Sequence, residues 1–291
     1  MPPSSPGPDT AVQSWRWVLR EAEARLGSVR EAQWMLERAT GWEGAELWLH
    51  IDEAATTRGV AFVERMVGRR AGGEPLQYVL GRWRFRRLEL LVDRRVLIPR
   101  PETEVVGEVA LAELRRRADH RPVVVDLGTG SGALGLSVAE EVAGATVWCT
   151  DSSAEALAVA RANLAGLGSR TAPRVRLVQG SWWDALPAEL RGRVDLAVSN
   201  PPYVATGEVL PPEVTDWEPV DALRAGPTGL EAIESILVGA LEWLTPSGVL
   251  VVEIAPWQAE RARERARAAG FGSSEVRPDL AGRPRVLVAR A

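Results

Sequence analysis

Lysine is absent from this chain: all 35 basic residues are arginine, set against 39 acidic ones, for a net charge of −4. An acidic balance argues against a broad, sequence-independent grip on nucleic acid, which depends on an excess of cations. No stable nucleic-acid binding is therefore expected. Cysteine is nearly absent as well. Cys149 stands alone inside an apolar run, which excludes a disulfide framework and marks it as a small core residue. The two histidines, His50 and His120, are isolated; with no Cys/His spacing, no metal is expected. No apolar stretch reaches the length needed to span a membrane. The Pro/Ser-rich first nine residues lack the basic-then-apolar order of a signal peptide. A flexible tail over 1–10 and a cytoplasmic location are the expectation.

What the chain does contain is led by Asn200-Pro201-Pro202-Tyr203, which follows the apolar run 194–199. Two prolines remove backbone donors and fix φ, so a central strand must end there in a stiff turn. Asn200 is then placed at the carboxyl end of a buried strand, the edge where open α/β sheets bind ligands. A carboxamide beside rigid prolyl carbonyls offers acceptors for an –NH2 group, and Tyr203 offers a flat wall. Such a set suits methylation of a planar nitrogen, in an amide or an exocyclic base amine. The competing reading is a plain Asn-Pro turn.

A second motif lies upstream. Val123-Val124-Val125-Asp126-Leu127 reads as a strand, Gly128-Thr129-Gly130-Ser131-Gly132 follows at once, and 133–141 reads as a helix. Glycines at alternate positions let the backbone turn sharply and approach a ligand closely. The pattern also fits a dinucleotide fingerprint. Asp151 ends the next strand and is placed to accept both hydroxyls of a ribose. Alternatively it caps the helix that starts near residue 154, a task that Ser152 or Ser153 could also perform. Asp126, just before the glycines, is placed to orient the loop through backbone donors.

Residues 11–72 carry apolar residues at helical spacing, rich in tryptophan (Trp15, Trp17, Trp34, Trp42, Trp48) for core filling or a docking face. Residues 73–98 read as a β-hairpin linker, with strands at 76–79 and 88–92. A helix over 102–117 follows Pro99-Arg100-Pro101. Beyond residue 122 strands near 123–127, 145–150, 174–179, 193–199 and 247–254 alternate with helices near 132–142, 153–166, 228–243 and 256–269. That alternation predicts an α/β, doubly wound parallel sheet over 99–291. Strands at 273–276 and 285–289, with no helix between, predict a terminal antiparallel hairpin. This departs from a nicotinamide dehydrogenase and resembles the class I S-adenosylmethionine-dependent methyltransferase fold, with its Rossmann-like sheet.

Several segments together resemble the protein-(glutamine-N5) methyltransferases that act on peptide chain release factors, the PrmC/HemK family. They are Gly73-Glu74-Pro75-Leu76-Gln77-Tyr78, Leu97-Ile98-Pro99-Arg100-Pro101-Glu102-Thr103-Glu104, Asp126 through Gly132, and Ser199 through Tyr203. Trp217-Glu218-Pro219, Ala222-Leu223 and Gly229-Leu230 add to the match. The resemblance implies that S-adenosyl-L-methionine is the cosubstrate, with Gly128, Thr129, Gly130, Ser131 and Gly132 around its methionyl part. It also implies Asp151 on the ribose, Trp182 on the adenine, and Asn200 to Tyr203 on the substrate glutamine. The implied partner is a class I release factor carrying a Gly-Gly-Gln loop, with the helical domain over 11–72 holding the factor's body. Ser181 replaces an acidic residue common in the family, and Ala255 replaces the glycine usual after Glu253-Ile254.

Because the sulfonium methyl is already activated, the expected catalysis is alignment rather than strong base chemistry. Asn200 Oδ1 and the Pro201 carbonyl would accept the two N–H bonds of the glutamine amide. Tyr203 and Phe85 would wall the site, while Arg100 either contacts substrate or braces its loop. The alternative enzyme class is a nucleic-acid amino methyltransferase acting on adenine N6 or guanine N2.

Overall fold

The computed structural model describes residues 13–117 and 121–291; the tail expected over 1–10 lies outside them. Two compact units divide the chain, one ending at Leu80 and the other running from Gly81 to Ala291.

The first unit is helical: α1 (Trp15–Leu26), α2 (Val29–Thr40), α3 (Ala45–His50), α4 (Thr57–Ala71) and α5 (Leu76–Leu80). Ser14, Ser28 and Thr56 cap α1, α2 and α4 by accepting backbone N–H bonds. Val18, Leu19, Ala22, Met35, Leu36, Leu47, Val63 and Met66 are buried between the helices. Of the tryptophans, Trp15 is buried in the core, while Trp17 and Trp48 are 43% and 46% exposed.

Helix α5 replaces the strand expected over 76–79. The Pro75 carbonyl accepts the N–H groups of Tyr78 and Val79 at 3.0 and 3.1 Å. Arg69 then caps the far end, donating to the carbonyls of Tyr78 and Val79. Leu76, Tyr78, Val79 and Leu80 are all buried, a pattern one short turn of helix satisfies and alternating strand burial does not. The hairpin is accordingly shorter than expected, with β1 (Arg82–Phe85) antiparallel to β2 (Leu88–Leu91).

The second unit continues with α6 (Pro101–Arg115), β3 (Val123–Leu127), α7 (Ala133–Glu141), β4 (Thr146–Asp151), α8 (Ala154–Gly166), α9 (Gly168–Thr171), β5 (Val175–Gln179) and β6 (Val194–Ser199). A two-stranded sheet, β7 (Val204–Ala205) with β8 (Arg224–Gly226), encloses the short helices α10 (Pro212–Thr215) and α11 (Val220–Leu223). Then come α12 (Glu231–Trp243), β9 (Leu244–Glu253), α13 (Ala259–Ala268), β10 (Ser273–Pro278) and β11 (Pro284–Arg290). Seven strands form one sheet in the order β10-β11-β9-β6-β3-β4-β5. Only the terminal hairpin, β10 with β11 and β11 with β9, is antiparallel. This is the class I methyltransferase sheet.

Strand order reverses at β3. The chain winds outward through β4 and β5, then returns to β6 on the other side of β3. Parallel strands diverge into loops at such a reversal, which opens a crevice at their carboxyl ends. Leu127 of β3 stands beside Ser199 of β6, and Ser199 Oγ donates to the Leu127 carbonyl at 2.6 Å. The glycine loop and the Asn-Pro-Pro-Tyr turn therefore leave the sheet side by side.

Candidate active site

A cleft of about 670 Å³ lies at this crevice, within the size range of small-molecule sites. Its walls include Gly128, Thr129, Gly130, Ser131, Asp151, Ser181, Trp182, Asn200 and Pro202, drawn from the ends of β3, β4, β5 and β6.

The glycine loop is held from below. Asp126 Oδ2 accepts the Thr129 hydroxyl at 2.6 Å and the Gly135 N–H at 2.9 Å, as expected of a loop-orienting carboxylate. Burial pushes its carboxyl up to about 6, against those two hydrogen bonds. Gly128, Gly130 and Gly132 have φ of 73°, 55° and 88°, a region closed to most side chains. Gly132 does not line the cleft; it begins α7, where Leu136 fills the space a Cβ would need.

Asp151 serves the same loop from β4. Its Oδ2 accepts the Gly130 N–H at 2.8 Å and its Oδ1 the Ser153 N–H at 2.9 Å. Burial raises its carboxyl above the ordinary range, opposed by those N–H groups. The helix cap is Ser153, whose Oγ accepts the Ala156 N–H at 3.1 Å. Asp151 is thus not spent on capping, and each of its oxygens keeps a lone pair for a ligand.

Trp182 has a φ of 43°, rare for a bulky residue and a mark of local strain held by its surroundings. Its ring packs over Gly128.

Asn200 Nδ2 donates to Thr103 Oγ1 at 3.1 Å, and Thr103 Oγ1 donates to Glu253 Oε2 at 2.7 Å. Asn200 Oδ1 is buried with no hydrogen-bond partner. An unpaired buried acceptor is costly, about 1–3 kcal/mol, and a ligand N–H relieves it. Glu253 is itself buried, and its carboxyl is pushed up to about 7 by that burial, with Thr103 and Arg285 pulling the other way. Tyr203 does not line the cleft. Its hydroxyl donates to Glu253 Oε1 at 3.5 Å, and burial with the nearby Glu253 charge pushes the phenol up to about 12.

Gly132 and Tyr203 thus lie outside the cleft they were expected to line, and so do Phe85 and Arg100. Phe85 is buried at the end of β1, paired with Leu88 in the hairpin, and is not among the residues that line the cleft. Arg100 is engaged in an ion pair with buried Glu218, whose other oxygen accepts the Ile98 N–H at 3.1 Å. It braces its loop and does not line the cleft. Of the two family departures, Ala255 has φ −71°, a conformation that alanine adopts freely. Ser181 lines the cleft.

Sequence reasoning missed three supports. Asn163 on α8 donates to the Ser131 carbonyl at 2.8 Å and bonds both ways with Leu91, tying the glycine loop to the hairpin. Thr103 was hidden inside a family segment. Glu253 had a visible signal: a lone carboxylate ending the apolar run 249–252 at the same sheet edge as Asp126 and Asp151.

Known proteins bear directly on this geometry. Residues 11–81 match the PrmC N-terminal domain, and residues 106–215 match the Methyltransferase small domain. The release factor glutamine methyltransferase of Bordetella pertussis is 41% identical over 271 residues, covering 92% of this chain and 97% of that protein. The protein of the same name from Geobacter sulfurreducens is 38% identical over 262 residues, covering 89% and 88%. Among solved structures, the N-terminal domain of human METTL16 in complex with SAH superposes with a TM-score of 0.51 at 16% identity, covering 70% of this chain and 75% of that one, a likeness of fold alone. With relatives this similar along almost its whole length, the chain belongs to the release factor glutamine methyltransferase family.

Proposed function

We propose that the protein transfers the methyl group of S-adenosyl-L-methionine to the side-chain N5 of the glutamine in the Gly-Gly-Gln loop of class I peptide chain release factors. The observation that carries this reading is the buried, unpartnered Oδ1 of Asn200 on the wall of the glycine-loop cleft. An amide –NH2 needs acceptors, and this oxygen is one held in place before substrate arrives. The names and similarity of the curated relatives support the choice of a release-factor glutamine over a nucleobase amine.

The cleft's residues fit the donor. The glycine loop meets the cleft without Cβ atoms at Gly128 and Gly130, leaving room for a chain to lie along it. Asp151 has acceptor capacity for ribose hydroxyls, and the Trp182 ring offers a stacking face for adenine. The sulfonium supplies an electrophilic methyl that needs no further activation.

An amide nitrogen is a weak nucleophile because its lone pair is delocalised. Asn200 Oδ1 and the Pro201 carbonyl accept its two N–H bonds, which aims the lone pair in line with the methyl and favours the positive charge that develops. Pro202 excludes water from that side. As the N–C bond forms the S–C bond breaks, and the extra proton on nitrogen leaves to solvent after transfer.

Mass spectrometry of a release factor incubated with donor and enzyme is the direct test. A gain of one methyl, about 14 Da, on the Gly-Gly-Gln glutamine is expected, with isolated DNA and ribosomal RNA unmodified. Methylation of nucleic acid with the factor untouched would overturn the reading.

A further inference from the structure

A buried relay joins the cleft to the sheet through three elements: Asn200 after β6, Thr103 on α6 and Glu253 at the end of β9. A hydroxyl has one proton to give. While Glu253 is a carboxylate it can only accept, so the Thr103 proton must point at it. The Thr103 oxygen then has only lone pairs to offer Asn200, which must present its –NH2. A carboxamide turned by half a rotation fills the same space with nitrogen and oxygen exchanged, so packing alone does not choose between the two orientations. Hydrogen-bond polarity does.

We propose that Glu253 is a positioning residue for methyl transfer, acting through Thr103 to hold the Asn200 carboxamide with its oxygen free for the substrate –NH2. This rests on the reading of Asn200 as the acceptor for the glutamine amide. A turned carboxamide would set –NH2 against –NH2, and the substrate nitrogen would lose one of its two acceptors.

The relay is also sensitive to protons. Glu253 is faced by Tyr203 from the turn after β6, by Arg285 of β11 and by Glu102 of α6, and Asp279 lies beside Arg285. Burial outweighs the cationic Arg285 and pushes the carboxyl up to about 7. Protonated Glu253 can donate to Thr103 Oγ1, which turns the Thr103 proton toward Asn200 and favours the turned carboxamide, with its oxygen on Thr103 and its –NH2 toward the substrate. Donor contacts at Gly130 and Asp151 are made from other strands and do not pass through this relay.

The test measures kcat against pH with donor affinity measured in parallel by calorimetry, because Asp126 under the glycine loop titrates near 6. Wild-type kcat should fall about tenfold for each pH unit below roughly 7. Glu253→Gln should lower kcat at pH 8 by about tenfold or more, lose that acid limb, and leave donor affinity within about twofold. Thr103→Val should lower kcat similarly, and Thr103→Ser should restore most of it, because only the hydroxyl carries the relay. An acid limb of kcat that is the same in wild type and in Glu253→Gln overturns the proposal. So do Glu253→Gln and Thr103→Val enzymes that keep wild-type kcat. Asn200→Ala separates the two levels: full activity there sinks the reading of Asn200 itself. Its loss alongside normal Glu253→Gln and Thr103→Val enzymes sinks only the relay.

Discussion

Gly128 and Trp182 are in direct contact: a Cβ on Gly128 would stand 3.2 Å from the Trp182 ring. Gly128 holds φ 73°, which glycine adopts freely, and Trp182 holds φ 43°, which strains a bulky side chain, so two left-handed turns from different strands meet on the cleft wall. Gly128→Ala would add a methyl where the backbone disfavours one by about 1–2 kcal/mol and would press on the Trp182 ring, the face proposed to stack on adenine. The expected outcome is a folded protein whose S-adenosylmethionine affinity falls about tenfold, read by calorimetric titration. Unchanged affinity would remove this contact from the donor site.

Asp151→Ala tests the neighbouring strand end. The substitution frees the Gly130 and Ser153 N–H groups and removes the acceptors proposed for the ribose hydroxyls. A charge-assisted hydrogen bond is worth about 1.5–3 kcal/mol, so donor affinity should fall roughly ten- to a hundredfold. Helix α8 should persist because Ser153 caps it. Circular dichroism of wild-type shape together with wild-type affinity would exclude Asp151 from donor binding.

These two parts of the cleft were legible in the sequence because each rests on a local rule. Alternate glycines after an apolar run, an aspartate ending the next strand and a double proline after another all have meaning within a few residues. The parallel sheet was legible for the same reason, from strand-helix alternation. What escaped depends on contacts that only the folded chain supplies. Leu76 to Val79 look like a strand until Arg69 is seen capping their carbonyls. Phe85 is apolar and aromatic like a cleft wall, but the fold buries it in the hairpin, away from the cleft lining. Strands β7 and β8 are too short to carry a period. The Asn200-Thr103-Glu253 relay spans separations of 97 and 150 residues, so no local pattern announces it.

Arg100 and Glu218 make a prediction about stability. Glu218 is buried and satisfies both the Arg100 guanidinium and the Ile98 N–H. Glu218→Ala would strand a buried backbone donor and a cation together, while Arg100→Ala leaves the Ile98 bond in place. Denaturant titration should find Glu218→Ala destabilised by about 2–3 kcal/mol, and Arg100→Ala by clearly less. Equal losses would mean that the Ile98 bond contributes nothing.

Glu253 makes a prediction about pH and stability with a definite sign. Its folded carboxyl titrates near 7, above the ordinary value of 4.5, so the folded state holds the proton more tightly than the unfolded chain. Stability from this group is present at low pH and is lost as pH rises from about 4.5 through about 7. Between pH 5 and pH 8 the wild type should lose on the order of 2–3 kcal/mol that Glu253→Gln does not lose. Denaturant unfolding of both proteins at the two pH values checks this, and parallel losses would show that Glu253 is not the group responsible.

The last prediction concerns why a methyltransferase sheet is joined to a helical unit at all. Transfer requires only the cleft, and every cleft residue lies beyond Gly81. The unit from Gly81 onward has a core of its own, built on Val125, Leu196, Ile233, Leu250 and Leu287, so a fragment of residues 81–291 should fold and bind donor. A short Gly-Gly-Gln peptide presents the glutamine and little else, and the fragment should methylate it within about threefold of the full chain. An intact release factor presents a large body besides its loop, and binding energy from that body lowers KM only if something holds it. If the helical unit holds it, kcat/KM of the fragment for the intact factor should fall by about a hundredfold or more, with donor affinity unchanged. Equal losses toward peptide and factor would mean that the helical unit supports the cleft and not the partner.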